Sequence, residues 1–130
     1  MSIAVDLSEL RGRLVEYRAA GYLLTVGGDG RPHCVSVSIA WDGDLLVTRP
    51  GNSSVRNAEA RRLVSLLLPA AALGDYSLIV DAEVVAAILS GEGGNTVTLR
   101  PTKAVLHRPG SGVEPGCGSD CIPVYRGQSG

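Results

Sequence analysis

Apolar residues in this chain first recur with a helical period and then with a period of two. Leu7, Leu10, Leu14 and Tyr17 share one helical face, with Val15 alongside. Asp6 stands before them and Glu9 three residues after Asp6, the spacing of a capping box. This predicts an amphipathic helix over residues 7–20, capped by Gly21 and lying on an apolar core. From Tyr22 the period shortens. Residues 22–26 read as a strand, and Gly27-Gly28-Asp29-Gly30 as a hairpin turn whose Asp-Gly pair supplies positive-φ positions. Residues 31–41 then alternate. His33, Val35, Val37, Ile39 and Trp41 face one way, and Cys34, Ser36, Ser38 and Ala40 the other. That is a half-buried strand with a small, polar second face. Asp42-Gly43-Asp44 turns the chain into a third strand over 45–48.

Arg49-Pro50-Gly51-Asn52 breaks the sheet, and Ser53 has the side chain of an N-cap for a short helix reaching about Arg62. A fourth strand over 63–68 stops at Pro69. An Ala-rich loop covers 69–75, and a long fifth strand covers 76–89, bent near Asp81-Ala82-Glu83. The turn at Gly91-Glu92-Gly93-Gly94-Asn95 leads into a sixth strand over 96–100 and 103–107, where Pro101 marks an edge or a bulge. The expected fold is mainly β: six antiparallel strands wrapped into a barrel, with one leading helix and one short helix after the third strand. Residues 1–108 would form the domain. Residues 109–130, with six glycines and three prolines, read as an irregular arm.

Composition narrows the function classes. The 130 residues are 45% hydrophobic and 19% charged, which fits a single globular domain. There is no Phe, one Trp and four Tyr, so the core must be aliphatic. A net charge of −1, no basic patch and few aromatic rings argue against nucleic-acid binding. The N-terminal residues lack the basic-then-apolar pattern of a signal peptide, and the apolar stretch near 63–73 is too short for a bilayer. Three cysteines, an odd number, suit reduced thiols, and a cytoplasmic location is expected.

The order of elements resembles the pyridoxamine 5'-phosphate oxidase-like FMN-binding split barrels, and within them the flavin and deazaflavin oxidoreductases of actinobacteria. The resemblance is carried by Leu24-Thr25-Val26, Asp29-Gly30-Arg31-Pro32-His33, Leu45-Leu46-Val47-Thr48-Arg49, Val55-Arg56-Asn57 and Arg61-Arg62-Leu63-Val64-Ser65-Leu66. It implies a homodimer with a cofactor groove between subunits, holding FMN or the related deazaflavin, and an oxidoreductase acting on a small molecule. It also leaves open a non-catalytic binder or carrier of flavin, deazaflavin or haem. The cofactor phosphate would sit where the third strand ends and the short helix begins. Thr48, Arg49, Ser53, Ser54, Arg56 and Asn57 are the matching residues here. Residue chemistry points the same way: cationic side chains, hydroxyls and a helix start within ten residues make an anion site. Family members that grip the cofactor tightly often carry a Lys three residues before the Asn, where this chain has Ser54. The longer C-terminal part of true pyridoxamine phosphate oxidases has no counterpart, which argues against vitamin B6 oxidation. No proton donor stands out.

Other chemistry is sparser. Cys117 and Cys121, four apart, could join His107 and Asp120 in a metal site or form a redox pair. Their spacing is not that of a zinc knuckle, and unligated thiols are the expected state. His33 is expected to be a satisfied, partly buried histidine, with a place beside a cofactor ring as the alternative. His107 should be exposed. Cys34 should serve packing. Asp81 and Glu83 should share one strand face as solvated or ion-paired groups.

Overall fold

The computed structural model describes residues 1–91 and 94–110. Seven strands and two α-helices follow in the order β1 (Ser2–Val5), α1 (Leu10–Glu16), β2 (Ala20–Val26), β3 (Pro32–Asp42), β4 (Leu45–Thr48), α2 (Asn52–Ala60), β5 (Leu63–Leu68), β6 (Ser77–Gly91) and β7 (Gly94–His107). All strand pairings are antiparallel. The spatial order is β1-β7-β4-β3-β2-β5-β6, and β6 pairs back onto β7. Six strands therefore close into a barrel, and β1 lies outside the ring as an extra strand on β7. The six expected strands are all present. β1 is an addition, since three of its four residues are exposed and offer no alternation to read.

The barrel is filled by its own side chains. Leu23, Leu46, Leu66, Leu68, Leu78, Val80, Val97 and Leu99 are fully buried, and Leu10 and Leu14 of α1 join the same cluster. A small closed barrel has room inside for side chains and little else. β3 alternates as its sequence indicates: Val37 and Ile39 are buried, whereas Cys34, Ser36, Ser38 and Ala40 are exposed. The bend expected near Asp81 and the break expected at Pro101 are one feature. Asp81 pairs with Lys103 and Ala82 with Pro101, so Thr102 is an extra residue in β7, a bulge. Its hydroxyl donates to the Asp81 carbonyl at 3.1 Å. Before the bulge the buried positions are Val97 and Leu99; after it they are Ala104 and Leu106.

Two helix boundaries differ from expectation. Asp6 does cap, its carboxylate accepting from the Ser8 amide at 3.0 Å and the Ser8 hydroxyl at 2.9 Å. These bonds lower its pKa. The first turn, Leu7–Glu9, is a 3₁₀ turn, and α1 ends at Glu16 rather than near residue 20. Arg18 and Ala19 then take left-handed φ values of 60° and 50°, and Gly21 is a strand residue, not a cap. Gly21 is required for another reason. A Cβ there would fall on the Leu67 carbonyl oxygen, where the chain passes close to β5. In α2, Gly51 takes the N-cap place expected of Ser53, and the helix stops at Ala60.

Tyr17 closes the end of α1 onto the barrel, its hydroxyl donating to the Tyr76 carbonyl at 2.7 Å. Burial, helped by Glu16, raises its pKa above the ordinary 10.0.

Gly21→Ala is expected to lower stability by about 2 kcal/mol or more, because backbone rather than a movable side chain occupies the space. Gly12→Ala in α1, with nothing near its Cβ, should raise stability by roughly 0.5–1 kcal/mol. Urea midpoints check both. Tyr17→Phe should cost about 1 kcal/mol at neutral pH. The folded-state pKa is raised, so this contribution is present below the unfolded value and fades as pH climbs through the folded one. Unfolding curves for the two proteins should therefore approach each other only in strongly alkaline solution.

Candidate functional site

The segment between β4 and α2 is fixed by hydrogen bonds from three directions. Along β4 the alternation turns Leu46 and Thr48 inward and Val47 and Arg49 outward. Thr48 is fully buried, and its hydroxyl donates to the Val97 carbonyl at 3.2 Å, tying β4 to β7. Arg49 is exposed and lines a groove of about 590 Å³ on the outer face of β3, together with Ser36, Ser38, Ala40 and Val47.

Asn95, just past the start of β7, holds the beginning of α2. Its amide nitrogen donates to the Pro50 carbonyl at 3.2 Å and to Asn52 Oδ1 at 2.8 Å, while its oxygen accepts from the Ser90 amide at 2.6 Å. Gly51, extended at φ −75° and ψ 179°, has no side chain with which to cap the helix. Val55 makes the first intrahelical bond, back to the Gly51 carbonyl at 3.2 Å. The amides of Asn52, Ser53 and Ser54 precede it, and Gly51 offers them no side-chain cap, which puts the positive end of a nine-residue helix at this segment. Around it, Ser53 and Arg56 are exposed and Ser54 is buried. Asn57 faces the barrel, its amide donating to the buried Thr25 hydroxyl at 3.2 Å.

The six residues singled out in the sequence thus fall into two groups. Arg49, Ser53 and Arg56 are at the surface. Thr48, Ser54 and Asn57 turn inward, the first and last into hydrogen bonds that hold the segment in place. At the far end of α2 the Arg61 guanidinium donates to the Val26 carbonyl at 2.6 Å, and Arg62 donates to the carbonyls of Val84 and Val85 at 3.2 and 3.1 Å. These two arginines anchor the end of the helix to two strands, β2 and β6. Thr25 and Asn95 were not recognisable as supports. The first looks like one more strand residue, and the second like a turn residue.

The remaining candidates are scattered. His33 is half-buried as expected, but its buried Nδ1 has no hydrogen-bond partner among the described residues. Cys34 is exposed, so it packs against nothing in the core. Asp81 and Glu83 are both exposed, and Asp81 accepts from the Ser65 hydroxyl at 2.8 Å. His107 is exposed, with Nδ1 3.1 Å from the Ser2 hydroxyl. Among the described residues no group of three or more His, Cys, Asp or Glu side chains could hold a metal. Cys117, Asp120 and Cys121 lie outside the described residues. No helix among the described residues is long and apolar enough to cross a membrane.

No family model matches the chain. It is 34% identical over 136 aligned positions to an uncharacterized protein of Mycobacterium bovis, and to one of Mycobacterium tuberculosis, covering 91% of this chain and 93% of each relative. Among solved structures it resembles a putative pyridoxamine 5'-phosphate oxidase from Listeria innocua, at 17% identity and a TM-score of 0.63 over 80% of this chain and all of that one. It also resembles an F420 reductase, at 21% identity and a TM-score of 0.57 over 71% of this chain and 93% of that one. A third likeness is to HutZ, a heme storage protein of Vibrio cholerae, at 16% identity and a TM-score of 0.54 over 78% of this chain and 94% of that one.

Asn95→Ala removes three hydrogen bonds at once and leaves the Pro50 carbonyl without its donor. It should lower stability by about 1–3 kcal/mol and speed amide exchange at residues 52–55 ahead of the rest of α2. Denaturant unfolding and hydrogen exchange measure the two effects.

Proposed function

We infer that this chain, which has the fold of the pyridoxamine 5'-phosphate oxidase-like split barrels and shares a family with the two uncharacterized mycobacterial proteins, binds a phosphate-bearing flavin or deazaflavin on the outer face of β3 and acts as an oxidoreductase. The observation that carries this reading is the placement of Arg49. It lines the β3 groove and stands two residues before Gly51, the N-cap of α2, which has no side chain. The donors suit a phosphoryl group: two exposed guanidinium side chains, the Ser53 hydroxyl and the first amides of a helix. In this reading Arg49, Ser53 and Arg56 touch the phosphate, and Thr48, Ser54 and Asn57 shape the segment that presents them. The small face of Ser36, Ser38 and Ala40 lets a flat ring approach the strand closely. The bound ring would supply the redox chemistry, and the protein would bind and orient it.

The groove is open on one side, and the exposed face of Cys34, Ser36, Ser38 and Ala40 continues beyond it. A second copy of the chain covering this face would supply the other wall. The proposed active form is therefore a homodimer with one groove per subunit. Names of the structural neighbours fit a flavin-type ligand, since they include an F420 reductase and an FMN-binding protein of Syntrophomonas wolfei.

Titration of the purified protein with FMN and with a deazaflavin cofactor, followed by cofactor fluorescence, tests the reading. Saturable binding is expected for one of them. Arg56→Ala, an exposed change, should weaken it about tenfold or more by removing a charge-assisted contact. Light scattering should give the mass of two chains. Affinity untouched by Arg56→Ala would sink the phosphate site. A Soret band on adding haem, with neither flavin bound, would replace the oxidoreductase by a haem carrier of the same fold.

A further inference from the structure

A second cavity lies on the other side of Trp41. It has a volume of about 430 Å³, within the range of small-molecule sites (about 300–1,000 Å³), and is bounded by the 3₁₀ turn, α1, the β3–β4 hairpin and the bulged part of β7. Leu7, Leu45 and Trp41 give it an apolar wall, and Arg11, Arg100 and Asp44 bring charge to it. Arg11 is held in place. Its Cζ lies 4.3 Å from the centre of the Trp41 ring, and Nη2 donates to the Gly43 carbonyl at 2.8 Å. Neither Arg11 nor Arg100 has an ion-pair partner among the described residues, although Glu83 stands opposite Arg100 in the β6–β7 ladder.

The lining itself carries two guanidinium groups and one carboxylate beside an apolar wall, with Glu83 next to Arg100 outside that lining. That lining suits a monoanion better than a dianion, and an amphipathic molecule better than a bare ion. Arginine is the side chain best matched to the planar, two-oxygen geometry of a carboxylate. We propose that this cavity is a binding site for a small organic carboxylate with an apolar body, its head on Arg100 and Arg11 and its tail against Leu7, Leu45 and Trp41. Trp41 also lines the Arg49 groove, so the two sites share one wall. The proposal does not rest on the cofactor reading, because the chain alone holds the whole cavity.

Trp41 is the only tryptophan, so its emission reports on the two sites it lines, and the Arg100 and Asp44 variants assign a response to this cavity. Octanoate is the probe, and 1-octanol the uncharged control. Octanoate, kept below its critical micelle concentration, should shift the Trp41 emission saturably, and octanol should not. Arg100→Ala, an exposed substitution, should weaken octanoate about tenfold while leaving the melting temperature within a few degrees of the parent. Asp44→Asn, which removes the like charge, should tighten octanoate measurably, a gain that a merely structural effect would not produce. The proposal is overturned by an octanoate response that is absent or not saturable, by equal responses to octanoate and octanol, or by affinity unchanged in both variants. Displacement of octanoate by inorganic phosphate at matching concentration would overturn the apolar part of the assignment.

Discussion

The ladder between β6 and β7 closes the sheet on itself, and most other features of the molecule follow from that closure. It runs from Ser77 opposite His107 to Gly91 opposite Gly94. Without it β6 and β7 would be long free edges, open to pairing with other chains. With it the barrel is complete and so narrow that leucines and valines fill it. A chain without Phe and with one Trp can build such an interior only from aliphatic groups. No room remains inside for a ligand. Binding chemistry is displaced to the outer faces, to the ends of the barrel and to the seams where helices rest on it.

The sequence was most legible where local alternation and tertiary burial agree. β4 and β5 lie where their apolar runs begin and end, and β3 shows the two faces its residues spell out. It was least legible where a long-range contact decides. Gly21 has the look of a helix cap, yet it is glycine because the Leu67 carbonyl passes over it. Nothing near residue 21 in the chain announces residue 67. Ser53 has the chemistry of an N-cap but lies inside the helix, because Asn95, more than forty residues away, fixes the turn before it. β1 escaped notice because it is a short strand on the outside of a closed ring.

The same logic divides the candidate site. A strand that buries Leu46 must bury Thr48, so the inward direction of that hydroxyl follows from period two alone and was readable in advance. The outward direction of Arg49 is the other half of the same statement. What local pattern could not supply was the support. Thr25, Asn95, and Asn57 with Arg61 come from three different elements, β2, β7 and α2 with its C-cap, and meet only after the barrel has closed. The exposed residues that carry charge are therefore recognisable by type, whereas the residues that aim them are recognisable only in three dimensions.

The extra residue at Thr102 acts as a phase shift in the chain's inside–outside code. Odd-numbered positions point inward ahead of it and even-numbered ones after it. A distant relative lacking this residue can share every buried position with this chain and still align poorly across it by pattern alone. Loss of this one residue by deletion would erase the shift and leave the core positions where they are. Lys103 would follow Pro101 as its outward neighbour, and Ala104 and Leu106 would still face the aliphatic interior, in unbroken alternation.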